Sequence, residues 1–335
     1  MASSLAGFIP GATRRAEGSF RENLAPGART TGAQTKGVLR RAAFQLKKPR
    51  MSQPEVLATV SALRQRVRQW RAAGGTVALV PTMGALHAGH IALVKLARAR
   101  CERVVVSIFV NPTQFGPTED FARYPRSLEA DLAAIASVGA DAVFHPGEAE
   151  MYPPGFATTV TLGGPAAAGL EDKFRPTHFQ GVATIVAKLL LQASPDAAVF
   201  GEKDFQQLAV IRQMVRDLDI PVDIVGAPTL READGLALSS RNVYLDERQR
   251  KFAAHLNQSM QWAARRVRDG EDRLEAVREA AASICGAGFV IDYLELRDAR
   301  TLAPALPGQA PGELRLLAAA RMGRTRLIDN IAVDG

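Results

Sequence analysis

Only Cys101 and Cys285 occur in 335 residues, too few for a disulfide framework, and a reducing, cytoplasmic setting is expected. No apolar run approaches the roughly 18 residues that cross a bilayer, so no membrane partner is expected. No internal repeat is visible, and no Ser-His-Asp or Cys-His arrangement suggests a protein nucleophile. Acidic residues are scarce in one place: residues 1–50 hold ten Lys or Arg against Glu17 and Glu22, which is the whole net charge of +8. The rest of the chain carries 32 residues of each sign, so a nucleic-acid role suggested by the overall charge would belong to this tail alone. The tail is rich in Gly, Ala, Ser, Thr and Arg without an apolar period, and disorder is expected there. It reads as an upstream-extended start or leader, a transit peptide, or a functional basic arm, the first being preferred.

From Met51 on, apolar periodicity is sustained, and 47% hydrophobic with 23% charged residues is an ordinary globular balance. Val56, Val60, Leu63 and Val67 recur at helical spacing between Pro54 and Trp70, ending at Gly74-Gly75. The apolar run Thr76–Val80 is followed by Pro81-Thr82-Met83-Gly84-Ala85-Leu86-His87-Ala88-Gly89-His90 and a helix to Arg100, which reads as strand, glycine-bearing turn and helix start. Such a turn lies where a parallel sheet binds ligands, and unpaired N–H groups at the helix start suit phosphate. His87 and His90, three apart, can both donate to a phosphoryl group, and Gly84 and Gly89 keep side chains out of its path. The alternative is structural: one histidine caps the helix and the other packs in the turn.

Val104–Val110 is a β-branched run suited to a buried parallel strand, completing a crossover unit. At its end Asn111 and Gln114 offer amides to a small polar substrate, although Asn-Pro also simply starts a turn. Asp131, on a helix expected over Ser127–Val138, is a candidate magnesium ligand, or a solvated helix acid. Strands are expected at 141–145, 158–161, 197–200 and 221–226, with a candidate flap over 151–169 and Thr177 capping an apolar helix through Leu191. Gly201-Glu202-Lys203-Asp204 puts a lysine in a strand-to-helix loop, where it can meet phosphate, and Asp204 with Gln207 has capping-box spacing. Ser239, Ser240 and Arg241 gather two hydroxyls and a guanidinium able to clamp a triphosphate, or form a surface turn. Helices over 246–268 and 271–284, then strands over 290–296, 313–320 and 325–332 with a turn near Gly323, make a smaller unit.

The His-x-Gly-His turn resembles that of the nucleotidylyltransferase superfamily. Together with Ser-Ile-Phe-Val-Asn-Pro-x-Gln-Phe, Arg-Tyr-Pro-Arg, Gly-Glu-Lys-Asp-x-Gln-Gln, Asp-Gly-Leu-Ala-x-Ser-Ser-Arg-Asn, Asp292–Arg297 and Leu327-Ile328-Asp329-Asn330, it makes residues 51–335 resemble the pantothenate synthetase (pantoate–β-alanine ligase) family. The resemblance implies a Rossmann-like doubly wound parallel sheet over 51–228, binding ATP and pantoate, and a smaller α+β domain over 229–335 that closes on it. It implies condensation of (R)-pantoate with β-alanine through a pantoyl adenylate, with ATP as substrate, Mg²⁺ and a homodimer. By the same resemblance Met83, Gly84, Ala85, Leu86, His87, Ala88, Gly89 and His90 hold ATP, with His90 as proton donor and His87 on the phosphates. Gly201, Glu202, Lys203 and Asp204 contact the nucleotide, and Leu230 with Leu238, Ser239, Ser240 and Arg241 covers it. Gln114 and Gln207 bind pantoate, assisted by Asn111. Thr113 stands where many members have Met, which would alter the wall around pantoate's methyl groups. The alternative readings are another nucleotidylyltransferase and an RNA-binding protein using the tail.

Overall fold

Six parallel strands carry the first part of the chain in this computed structural model, which describes residues 53–117, 119 and 121–334. The basic tail and the expectation of its disorder lie outside the described residues. The chain divides into Met1–Gln45 and Leu46–Gly335, and every described residue falls in the second unit. The strands are β1 (Glu55–Leu57), β2 (Val77–Thr82), β3 (Arg103–Ile108), β4 (Ala142–Phe144), β5 (Ala197–Gly201) and β6 (Asp223–Ala227). Their order is β1-β4-β3-β2-β5-β6, the doubly wound arrangement expected from the sequence. The chain leaves β2 toward β3 and β4, then returns to β5 and β6 on the other side, so the order reverses between β2 and β5. A ligand crevice belongs beyond the carboxyl ends of those two strands.

The unbroken apolar strands follow from this arrangement, because both faces of the sheet are covered. Val77 and Leu79 pack with Leu63 and Val67 of α1 (Val60–Ala72), whereas Ala78 and Val80 pack with Val94 and Ala97 of α2 (Ala88–Arg100) and Ile135 of α3 (Leu128–Ala136). A pleated strand sends neighbours to opposite faces, so every position needs an apolar side chain. After the short helices α4 (Glu148–Met151) and α5 (Glu171–Phe174), α6 (His178–Ala193) lies buried on the first face beside α7 (Phe205–Asp217).

The helices α8 (Glu247–Ala253), α9 (His255–Arg268) and α10 (Arg273–Gly286) precede an antiparallel sheet of β7 (Phe289–Asp298), β8 (Leu314–Met322) and β9 (Thr325–Ala332). One face of this sheet packs under α9 and α10 through Leu316, Ala318 and Ala320. The opposite face, with Tyr293, Leu317 and Ala319, packs on Leu170 and Phe205. The β8–β9 turn carries Gly323 at φ +60°, where the sequence placed it.

Three local expectations fail. The helical pattern from Pro54 breaks because Glu55–Leu57 pair with β4, and the Thr59 hydroxyl caps α1 by accepting from Ala62 N–H. Residues 158–161 form no strand: Val160 N–H goes to Thr184 Oγ1, and Gln180 Nε2 meets the hydroxyls of Thr159 and Thr161, so the segment's partners are on α6. Thr177 precedes α6 but makes no side-chain cap.

The closest backbone approach also sets the site. A Cβ on Gly181 of α6 would sit 2.3 Å from Thr113 O and 2.6 Å from Gln114 N. Gly181→Ala must therefore displace the 111–114 turn. We expect thermal unfolding to register a loss of about 1–3 kcal/mol; wild-type stability would refute this packing.

Candidate active site

The Gly84–His90 turn is held by side chains. Gly84 at φ +81° and Ala85 at φ +52° bend the chain sharply after β2. Asp131 of α3, buried, accepts from Ala85 N–H at 3.0 Å and Leu86 N–H at 2.8 Å, one per carboxylate oxygen. A Cβ on Gly84 would lie 2.9 Å from the same carboxylate, so glycine is required by contact as well as by φ. The expectation of Asp131 as a magnesium ligand is corrected: its oxygens are occupied by backbone, and it lines neither of the two cavities described below. Among the described residues no group of three His, Cys, Asp or Glu is placed to hold a metal ion.

His87 and His90 hold the turn, as the structural reading of the motif has it, and both also face a cavity. His87 is the N-cap of α2, with Nδ1 accepting from Gly89 N–H at 3.1 Å; His90 Nδ1 accepts from His87 N–H at 3.3 Å. A ring nitrogen that accepts a hydrogen bond carries no proton, so each neutral ring bears its hydrogen on Nε2. The rings stand 4.2 Å apart and both line a cavity. Burial and then His87 lower the His90 pKa to about 3, and burial followed by Lys203 lowers that of His87. Both are neutral donors at pH 7. The turn's backbone contributes less than the sequence suggested, because Ala85, Leu86, His87 and Gly89 N–H groups already have side-chain partners.

That cavity, of ≈ 220 Å³, holds most of the expected residues. On its β2–β3 side lie Met83, His87, Gly89, His90, Asn111 and Gln114; on its β5 side lie Gly201, Lys203, Asp204 and Gln207. Leu230, Leu238, Ser239, Ser240 and Arg241 form a further wall. Gly84, Ala85, Leu86 and Ala88 are not on the wall, and Glu202 turns instead to Arg315 at 3.4 Å. A second cavity of ≈ 580 Å³ shares Arg175, Lys203, Asp204, Ser239 and Arg241 with the first, so the two adjoin.

Hydrogen bonds orient the amides. Asn111 Nδ2 donates to Gln114 Oε1 at 3.1 Å and Gly181 O at 3.2 Å, while Tyr152 Oη donates to Asn111 Oδ1 at 2.7 Å. Gln114 therefore turns Nε2 away, against Met83 Sδ at 3.0 Å. The Thr113 hydroxyl donates to Asn111 Oδ1 at 3.0 Å, and Thr113 is not on the cavity wall. The capping-box spacing of Asp204 and Gln207 is not used: Asp204 makes no side-chain cap, and Gln207 has no side-chain hydrogen bond among the described residues. Lys203 Nζ lies 3.8 Å from Asp204 Oδ1, mostly buried.

Tyr124, Arg175 and His178 share this wall and were not anticipated as site residues. His178 Nδ1 is 3.0 Å from Gln114 O and its Nε2 3.1 Å from Arg175 Nη1, so it donates through Nδ1 and accepts through Nε2. Arg175 also forks onto Glu119 at 2.6 and 2.8 Å. The sequence signal was the place of His178 itself, directly after Thr177 at the start of the expected apolar helix.

A doubly wound sheet with a histidine turn and a lysine loop facing each other at its strand-order reversal defines a Rossmann-like α/β protein with a polar crevice. The chain belongs to the pantoate-beta-alanine ligase family, whose family model matches residues 55–332. It is 56% identical over 280 residues to pantothenate synthetase 2 of Bradyrhizobium diazoefficiens, covering 84% of this chain and 99% of that one. The crystal structure of pantothenate synthetase from Thermus thermophilus matches with TM-score 0.79 and 48% identity, over 83% of this chain and 99% of that one. The ligase of Francisella tularensis, solved in complex with "Beta-gamma ATP and Beta-alanine", matches with TM-score 0.71 and 33% identity, over 84% and 98% of the two chains.

Two outcomes follow from these contacts. Asp131→Asn leaves a buried N–H facing an amide N–H, and we expect a loss of about 1–3 kcal/mol in denaturant unfolding; an unchanged midpoint would contradict the clasp. Buried neutral histidines also set a pH dependence. Burial lowers His90 to about 3 and His178 to about 4, below the ordinary 6.5, so between those values the unfolded chain binds protons that the folded chain refuses. Stability must fall as pH drops from about 6.5 to about 4.5, above the range where the carboxylates titrate; a flat melting temperature across that window would contradict it.

Proposed function

We propose that this chain joins pantoate to β-alanine with ATP, through a bound pantoyl adenylate, releasing pyrophosphate and then AMP. The observation that carries the reading is the presence of Asn111, Gln114 and Gln207 in one cavity with His87, His90 and Lys203. Family membership over residues 55–332 and the ATP and β-alanine in the related Francisella ligase support it. A nucleotidylyltransferase acting on a second nucleotide would have no use for this amide set.

In the first half-reaction a pantoate carboxylate oxygen attacks the α-phosphorus and the bond to pyrophosphate breaks. Negative charge grows on the non-bridging and leaving oxygens, where the Nε2–H groups of His87 and His90 donate and the Lys203 ammonium supplies charge. His90 acts as a neutral hydrogen-bond donor. In the second half the β-alanine amine attacks the pantoyl carbonyl, AMP leaves with one former carboxylate oxygen, and the amine loses its proton. Gln114 and Gln207 orient pantoate, and Asn111, held by Tyr152, fixes the Gln114 amide. Ser239, Ser240 and Arg241 clamp the triphosphate, and Gly201 and Asp204 border the nucleoside. Among the described residues no dedicated magnesium cage is placed, and Asp131 binds the turn, so in this reading Mg²⁺ belongs with ATP as substrate and screens phosphate charge there.

In this reading residues 51–228 bind ATP and pantoate, and residues 229–335 with the 151–169 segment close over them to keep water from the adenylate. Resemblance to the family supports a homodimer and a cytoplasmic setting. No helix among the described residues is long and apolar enough to cross a membrane.

The test is AMP release by the purified full chain with Mg-ATP, omitting pantoate and β-alanine in turn. AMP should require both substrates, and Lys203→Ala should slow turnover by about 10²-fold or more. AMP formed without either substrate would defeat the assignment.

A further inference from the structure

Asp329 and Asn330, part of the Leu327-Ile328-Asp329-Asn330 motif, touch neither pantoate nor the reacting atoms in the reading above, yet both are buried. Asn330 Nδ2 donates to Glu202 O at 2.8 Å and to Lys203 O at 2.9 Å. One amide group thus grips both peptide units that precede and follow the Lys203 side chain. Asn330 Oδ1 is fixed in turn by Arg315 Nε at 2.8 Å, and the Arg315 guanidinium lies 4.0 Å over the Phe205 ring. The amide cannot flip without losing all three bonds.

Its neighbour points the other way, as alternate strand residues must. Asp329 takes a forked pair of bonds from Arg231 at 2.7 and 2.8 Å and a third from Asn257 Nδ2 at 3.0 Å. Arg231 adjoins Leu230 and opens the stretch whose Leu238–Arg241 form a wall of the nucleotide cavity. Arg231 also donates to Asn330 O at 3.3 Å and, within its own turn, to Gly235 O at 3.1 Å. Two of the three walls that contact phosphate in the proposed reaction, the Lys203 loop and the 238–241 wall, are therefore anchored on two consecutive residues of β9.

We propose that Asn330 is a positioning residue for Lys203, and that the Asp329–Asn330 pair couples the 230–241 cover to the lysine loop. The inference rests on the ligase reading for its catalytic consequence. Its physical basis is a fully satisfied buried polar network, which allows one arrangement of the lysine backbone and penalises others. A shift of about 1 Å in a positioned group can cost about 10²-fold in rate.

The test is a double-mutant cycle in the full chain with Asn330→Ala, Lys203→Ala and the pair, following kcat, KM for ATP and for β-alanine, and the MgATP dissociation constant by calorimetry. Asn330→Ala should lower kcat at least about tenfold and weaken ATP, with β-alanine KM little changed. In the Lys203→Ala background it should cost little more, because the group it positions is gone. Asn330→Asp keeps volume and the Arg315 acceptor but turns an oxygen toward two carbonyls, so it should be as slow as the alanine variant while folding normally. Equal losses in both backgrounds, or a wild-type rate in Asn330→Asp, would overturn the proposal. A wild-type chain that binds ATP but makes no AMP would refute the ligase reading alone, and the ATP-affinity cycle would still decide the coupling.

Discussion

The capture of turn amides by side chains is the constraint on which the crevice depends. A turn bent at Gly84 and Ala85 leaves backbone N–H groups without strand or helix partners, and each buried one must be satisfied. Asp131 takes two, His87 and His90 take two more through Nδ1, and the consequence is orientation. With Nδ1 bound to backbone, both imidazoles present Nε2–H, and neither ring can rotate without exposing an orphan donor. Burial then keeps them neutral. The helix start therefore presents two imidazole donors to the crevice in place of the bare amides it has used up.

The second constraint is the seat of the β7–β9 sheet. Beside its apolar contact with Leu170 and Phe205, it holds a buried polar cluster: Glu171 accepts a forked pair from Arg326, both at 2.7 Å, and a bond from Tyr293 Oη at 2.9 Å. Burial would push the Glu171 carboxyl up, but its bonds and charge pairing with Arg326 hold it below its usual range, so it stays ionised. Burial, reinforced by the Glu171 charge, pushes the Tyr293 phenol well up, which keeps it a donor. Buried ion pairs of this kind contribute little net stability against an apolar alternative, yet losing one partner is costly. What they supply is a fixed register between the sheet and the 171–175 and 202–204 segments.

The periodic signal in the sequence served well where one rule acted locally. The double-faced burial of Val77–Val80 and Val104–Val106 is written in unbroken apolar runs, and β9 occupies Thr325–Ala332 as read. Val56 misled because a helical spacing of four residues cannot reveal pairing with a strand near residue 142. Asp131 misled for a similar reason: its helix position was visible, but its two partners lie 45 and 46 residues away. The motif residues of the crevice were legible because chemistry and chain order coincided. Arg175 and His178 were hidden, since their partners Glu119 and Gln114 come from a separate loop, and Asn330 reaches Lys203 across 127 residues.

The most direct test of this account is the tautomer of each histidine, read by long-range ¹H–¹⁵N correlation of the imidazole nitrogens at neutral pH. The chain has five histidines, so assignment by single substitution is tractable. His87 and His90 should both be neutral with the proton on Nε2, whereas His178, donating to Gln114 O, should carry it on Nδ1. A proton on Nδ1 of His87 or His90, or a cationic ring at either position, would contradict the amide-capture account of the crevice.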